Sequence, residues 1–133
     1  MYEALKQIKN FHGHLGPYAV IGYRMGLIAK EKVNGNPFSL NATVWTNNIP
    51  PMSCVIDGIQ ISSGCTLGKG NISLKKSNFI KAEFYSKDGQ FLQIVLKPEI
   101  KEEIDQNVNN KNIINYSEKI FKRSDFELFD IKK

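Results

Sequence analysis

The apolar positions of the chain fall into short runs whose period switches between helix and strand. Leu5 and Ile8 are spaced for one face of a helix over 3–10, which stops before Phe11-His12-Gly13-His14, a Gly/His-rich segment read as a loop. Pro17 sits where a helix can begin, because its missing N–H is not needed in the first turn. Val20, Ile21, Leu27 and Ile28 carry the helical period on to about Val33. Gly22 and Gly26 lie one turn apart in it; they cost helix propensity and make sense where another backbone crosses closely. Asn34-Gly35-Asn36-Pro37 is a turn cluster, and Leu40 to Thr46 is strand-like. Ser53 is expected to cap a helix over 54–62, with Gly64 turning the chain out of it. Residues 79–85 and 91–96 form a hairpin signal across Lys87-Asp88-Gly89. Pro98 opens a polar helix through Ile104, 107–112 is a polar break, 116–122 is helical, and 126–131 reads as a last edge strand. This order predicts an α+β fold, with an antiparallel sheet packed with helices in a single compact domain over 1–133.

Composition narrows the class. The chain has 133 residues, 41% of them hydrophobic and 23% charged, as in an ordinary globular domain. No apolar run approaches the ~18 residues of a membrane span, and the first residues lack the layout of a secretory signal, so the expectation is a cytoplasmic protein without a membrane partner. The two cysteines are too few for a disulfide framework. The net charge is +5, densest between Lys69 and Lys87. Without a nucleic-acid motif, that excess reads as a solvated sheet face and no nucleic acid is expected.

The candidate chemistry sits in three places. His12 and His14 are the only histidines, and the glycine between them lets two imidazoles turn toward one point. Cys54 opens the third helix, where free N–H groups favour a thiolate, while Asp57 shares its face and pulls the thiol pKa the other way. Cys65 follows eleven residues later, about a helix length away unless the Ser62-Ser63-Gly64 exit folds it back. Gly64-Cys65-Thr66-Leu67-Gly68-Lys69-Gly70-Asn71 has the wrong spacing for a Walker loop. It is either an anion-facing loop with Lys69 or an ordinary turn that places Cys65. Two His and two Cys suit zinc, and less specifically iron, nickel or copper. The residues alone leave metal binding open against buried packing cysteines, which are the commoner case.

Phe11-His12-Gly13-His14-Leu15-Gly16-Pro17-Tyr18 with Gly22-Tyr23-Arg24-Met25-Gly26, then Cys54-Val55-Ile56-Asp57-Gly58-Ile59-Gln60, then Ser63 to Asn71, resemble in order the three signatures of the FmdE family, named for the E component of formylmethanofuran dehydrogenase. The resemblance implies an α+β core domain that pairs as a homodimer, with a metal, usually zinc, near His12, His14, Cys54 and Cys65. Cys54, Asp57 and Lys69 are the catalytic candidates it carries over. Many members have cysteine where this chain has Gly16, and some carry a C-terminal zinc finger, whereas this chain has no cysteine after Cys65 and reads as the core domain alone. The family takes its name from a molybdenum or tungsten enzyme of one-carbon metabolism in methanogens. An accessory role in such a dehydrogenase complex or action on a small-molecule substrate is the expectation; a redox or nucleophilic thiol protein using Cys54 and a structural assembly module are the alternatives. Neither the substrate nor whether the protein is an enzyme is legible.

Overall fold

A computed structural model describes residues 2–33 and 38–133; the turn cluster at 34–37 lies outside the described residues. Among the described residues, six helices and five strands follow one another: α1 (Glu3–His12), α2 (Pro17–Lys32), β1 (Leu40–Thr46), a single 3₁₀ turn (Met52–Cys54), α3 (Val55–Ser63), β2 (Ile72–Lys76), β3 (Lys81–Ser86), β4 (Phe91–Leu96), α4 (Pro98–Asn107), α5 (Ile113–Lys122), α6 (Asp125–Leu128) and β5 (Phe129–Lys132). The strands form one sheet in the order β2-β1-β3-β4-β5. The fold is α+β, as the element order predicts, and the sheet is mostly antiparallel.

One pair departs from that rule. β2 runs parallel to β1, with Ala42 opposite Ile72 and Thr46 opposite Lys76. Parallel neighbours need a crossover rather than a tight turn, and α3 is that crossover. β2 has no counterpart among the elements expected from the sequence, because Ser73, Leu74, Lys75 and Lys76 are all exposed and show no alternation. β1 shows the expected alternation, burying Leu40, Ala42, Val44 and Thr46 on one face.

α2 is the centre of the molecule. Nearly every residue from Pro17 to Gly26 is buried, so the first half of this helix has no polar face to read. It crosses α3 with backbones in contact. A Cβ on Gly22 would stand 1.9 Å from the Val55 carbonyl oxygen, and one on Gly58 would stand 2.0 Å from the Ala19 carbonyl oxygen. The close crossing expected at Gly22 and Gly26 is therefore internal, and these glycines lend no support to a dimer.

Some boundaries move. α1 runs on through Phe11 to His12, and Gly13 ends it in the left-handed conformation (φ 96°) with its N–H on the Lys9 carbonyl, a glycine C-cap. Ser53 does not cap α3: it lies inside the 3₁₀ turn, and Cys54 takes the cap position with no side-chain hydrogen bond. Gly64 ends α3 with φ 77°, as expected. The segment read as a strand from Phe126 begins instead as a helical turn. Ser124 and Glu127 form a reciprocal capping box there, and only Phe129–Lys132 pairs with β4.

Candidate functional site

Three elements meet around His12. The imidazole is the last side chain of α1, and its Nδ1 lies 2.5 Å from Oδ2 of Asp57 in the first turn of α3. The His12 side chain is only 10% exposed, and its other nitrogen, Nε2, is buried with no hydrogen-bond partner. Burying an unpaired ring nitrogen costs free energy of about 1–3 kcal/mol. The left-handed turn at Gly13 brings His14 back over His12, with ring centroids 4.6 Å apart. His12, His14 and Cys54 line one small cavity of about 30 Å³, walled further by Gly16, Tyr18 and Pro51. That is room for about one water or ion. A wider cleft of about 370 Å³ also borders His12 and Cys54, bounded further by Asp57, Ser53, Asn48 and Leu74.

Cys65 does not join this group. It lies past the C-terminus of α3, fully buried, with its Sγ donating to the Leu40 carbonyl (3.4 Å) and its N–H held by the Ser63 hydroxyl. A nine-residue helix separates it from Cys54, about 13 Å of rise. Lys69 belongs to the same distant end, with its Nζ 3.2 Å from the Thr66 hydroxyl and 5.9 Å from the Phe38 ring centroid. Of the six candidates from the sequence, His12, His14, Cys54 and Asp57 stand together; Cys65 is a core thiol and Lys69 a surface lysine of the loop after α3. The glycine-rich loop is held by its own polar groups, with Asn71 accepting from the Thr66 N–H and donating to the Leu40 carbonyl. That arrangement is an ordinary turn that fixes Cys65.

Electrostatics revises the reading of Cys54. The thiol pKa is raised, first by burial and then by the Asp57 carboxylate. The helix N-terminus was expected to lower it, but the N–H of Cys54 is already bound to the Pro51 carbonyl within the 3₁₀ turn. Cys65 is raised by burial, partly offset by Ser63 and Lys69. In metal-free protein, brief alkylation near neutral pH is therefore expected to label Cys54 slowly, and Asp57→Asn to speed it. Cys65 is expected to stay unlabelled until the chain unfolds. Peptide mapping reads all three, and an unchanged Cys54 rate in Asp57→Asn would rule out the carboxylate's influence.

The donor set can be tested against a metal. Among the described residues, no three His, Cys, Asp or Glu side chains are preassembled to hold an ion. What is present is an orphaned imidazole nitrogen, oriented through its other nitrogen by a carboxylate, beside a second imidazole and a thiol on one ion-sized cavity. His12, His14 and Cys54 would hold an ion here only as an open site completed by water or a ligand, and they do not make a closed four-ligand structural site. Gly16 abuts the same place: a Cβ there would lie 3.2 Å from Cε1 of His14.

Sequence reasoning missed Tyr18. It is 2% exposed, forms the wall between the imidazole cavity and a larger pocket, and donates its hydroxyl to Asp105 Oδ1 at 2.5 Å. Burial, then the neighbouring Asp105, keep its proton on well above the usual phenol range. Its place directly after Pro17 in the first motif was the available signal.

The comparisons with known proteins agree with this architecture. A "Probable S-adenosyl-L-methionine-binding protein" of Archaeoglobus fulgidus is 36% identical over 75 residues, which cover 51% of this chain but only 19% of that protein. The crystal structure of a tungsten formylmethanofuran dehydrogenase FmdE-like protein from Syntrophus aciditrophicus matches 98% of this chain and 69% of its own with a TM-score of 0.64. At 17% identity, that likeness speaks for the fold. Residues 11–130, which include all three motifs and most of the sheet, match the family model described as FmdE, molybdenum formylmethanofuran dehydrogenase operon, and the chain belongs to the FmdE family.

Proposed function

We propose that this FmdE-family domain binds a divalent transition metal, zinc by preference, at His12 Nε2, with His14 and Cys54 as the further donors. The observation that carries the reading is the buried Nε2 of His12 without a partner while Nδ1 is held by Asp57. A carboxylate that fixes one imidazole nitrogen selects the tautomer whose other nitrogen carries the lone pair. Asp57 is then a positioning residue rather than a ligand. Cys54 would bind as thiolate, releasing its proton to solvent, so its raised pKa makes metal uptake favour higher pH. A bound ion would supply Lewis acidity at a position left open to a small substrate. The open cleft beside His12 and Cys54 favours that role over a purely structural one. The raised thiol pKa weighs against a nucleophilic Cys54 without metal.

Elemental analysis of untagged protein is expected to find a transition metal near one per chain. His12→Ala is expected to abolish it, Asp57→Asn to weaken binding by about 10- to 100-fold, and Cys65→Ser to leave it in place. Protein that is metal-free after gentle purification and takes up no added zinc would refute the reading.

A further inference from the structure

A second pocket, of about 300 Å³, adjoins the imidazole cavity and shares its Pro17, Tyr18, Pro51 and Ile113 walls. Ile104 and Val108 complete an apolar lining, and the polar residues of the wall are Tyr18, Asp105, Asn109 and Asn110, with the Tyr18 hydroxyl on Asp105. The size suits one or two fused rings, and the two prolines offer flat walls.

The polar residues determine the charge of what fits. The Asp105 carboxylate is already matched, since Oδ1 accepts from Tyr18 and Oδ2 from Lys101 Nζ at 2.8 Å. With the lysine as counter-ion, the pocket wall carries no unmet charge, and an ionic ligand would lose hydration without gaining a partner. Capacity for neutral hydrogen bonds remains. The Tyr18 oxygen donates its proton to Asp105 and keeps its lone pairs for an incoming N–H. Asn109 spends its side-chain oxygen on the Lys111 and Asn112 N–H groups, which leaves its NH₂ to donate. The pocket thus offers an acceptor and a donor above an apolar floor.

We propose that this pocket binds an uncharged planar heteroaromatic ring bearing an N–H donor and a ring acceptor, seated on Pro17, Pro51, Val108 and Ile113 and hydrogen-bonded at Tyr18 and Asn109. Binding in this pocket stands apart from the metal-site reading.

The test follows the methyl groups of Ile104 and Ile113 by NMR during titration with 2-aminopyrimidine, benzoate, benzamidine and toluene. The aminopyrimidine is expected to shift both methyls saturably, with a Kd of about 1 mM, while the anion, the cation and the hydrocarbon bind at least about tenfold more weakly. Val108→Trp fills the pocket and is expected to abolish the titration. Asp105→Asn, which keeps the shape and so guards against a folding defect in the first variant, is expected to weaken it several-fold, because Tyr18 loses its charged acceptor. Zinc uptake should survive both changes, whereas His12→Ala should lose zinc and keep the titration. In the unchanged protein, zinc uptake without a titration would sink the pocket proposal alone, and a titration without zinc uptake would sink the metal reading alone. No saturable shift up to about 10 mM, an equal response to benzoate, benzamidine or toluene, or a titration untouched by Val108→Trp would overturn the proposal.

Discussion

Gly58→Ala is expected to unfold the protein or to lower its melting temperature by about 10 °C or more, with Gly22→Ala close behind. Adding one methyl group inside a helix normally gains up to about 1 kcal/mol of propensity over glycine. Here the methyl meets backbone. At Gly58 it would stand 2.0 Å from the Ala19 carbonyl oxygen and 2.4 Å from the Tyr23 nitrogen; at Gly22 it would stand 1.9 Å from the Val55 carbonyl oxygen. Neither neighbour can rotate away, so α2 and α3 must separate along their contact. Overpacking of this kind costs about 1–3 kcal/mol where side chains can yield, and more where only backbone can move. Gly26→Ala meets the Ser62 hydroxyl first, a group able to turn, although the Ser63 nitrogen at 2.9 Å still limits the space. It should be the mildest of the three. Gly68→Ala, with nothing within 4 Å, is the control and should change little. Thermal melts of the four variants give the order, and a neutral Gly58→Ala would contradict the crossing. The same crossing bears on function, because α3 carries Asp57 and α2 carries Tyr18: separating the helices moves both walls of the site.

Arg24→Met is expected to destabilise the chain by about 3 kcal/mol and to loosen its C-terminal part first. The Arg24 side chain is 12% exposed. Its Nη1 donates to the carbonyls of Phe121 (2.7 Å) and Arg123 (2.6 Å) at the end of α5, and its Nη2 pairs with Asp125 at 2.7 Å. One guanidinium thus satisfies the carbonyls that a helix C-terminus leaves free and holds the start of α6. A methionine fills the space but leaves those acceptors without a donor. Arg24→Lys should rescue only part of the loss, since one ammonium cannot reproduce the planar fork. Limited proteolysis is expected to cut after α5 in Arg24→Met while the residues around α2 and α3 stay protected. Uniform cleavage along the chain would show that Arg24 does not act through this junction.

The elements legible in the sequence are those whose signal is local. The period of Leu5 and Ile8, Pro17 at a helix start, the alternation of β1, the Asp88-Gly89 turn and the glycine at the end of α3 each depend on neighbours within a few residues, and each matches the structure. β2 was not legible, because an exposed edge strand with consecutive lysines has no buried face to impose alternation, and only its pairing with β1 defines it. The edge segment at 126–131 was half legible: the capping box at Ser124 holds its first turn helical, so pairing with β4 waits until Phe129.

The site divides in the same way. The paired histidines and the motif with Cys54 and Asp57 could be picked out from residue types and spacing, and the motif order pointed to the family. Which of them meet was decided by tertiary structure. Cys54 and Cys65 lie in neighbouring motifs, yet the length of α3 keeps them apart. His12 and Asp57 are 45 residues distant in the chain and 2.5 Å apart in space, because the end of α1 packs against the first turn of α3. Thiol acidity also escaped the sequence, which offered a helix N-terminus and a carboxylate of opposing effect. Burial raises the thiol pKa on the same side as the carboxylate, and burial is a property of the assembled core alone.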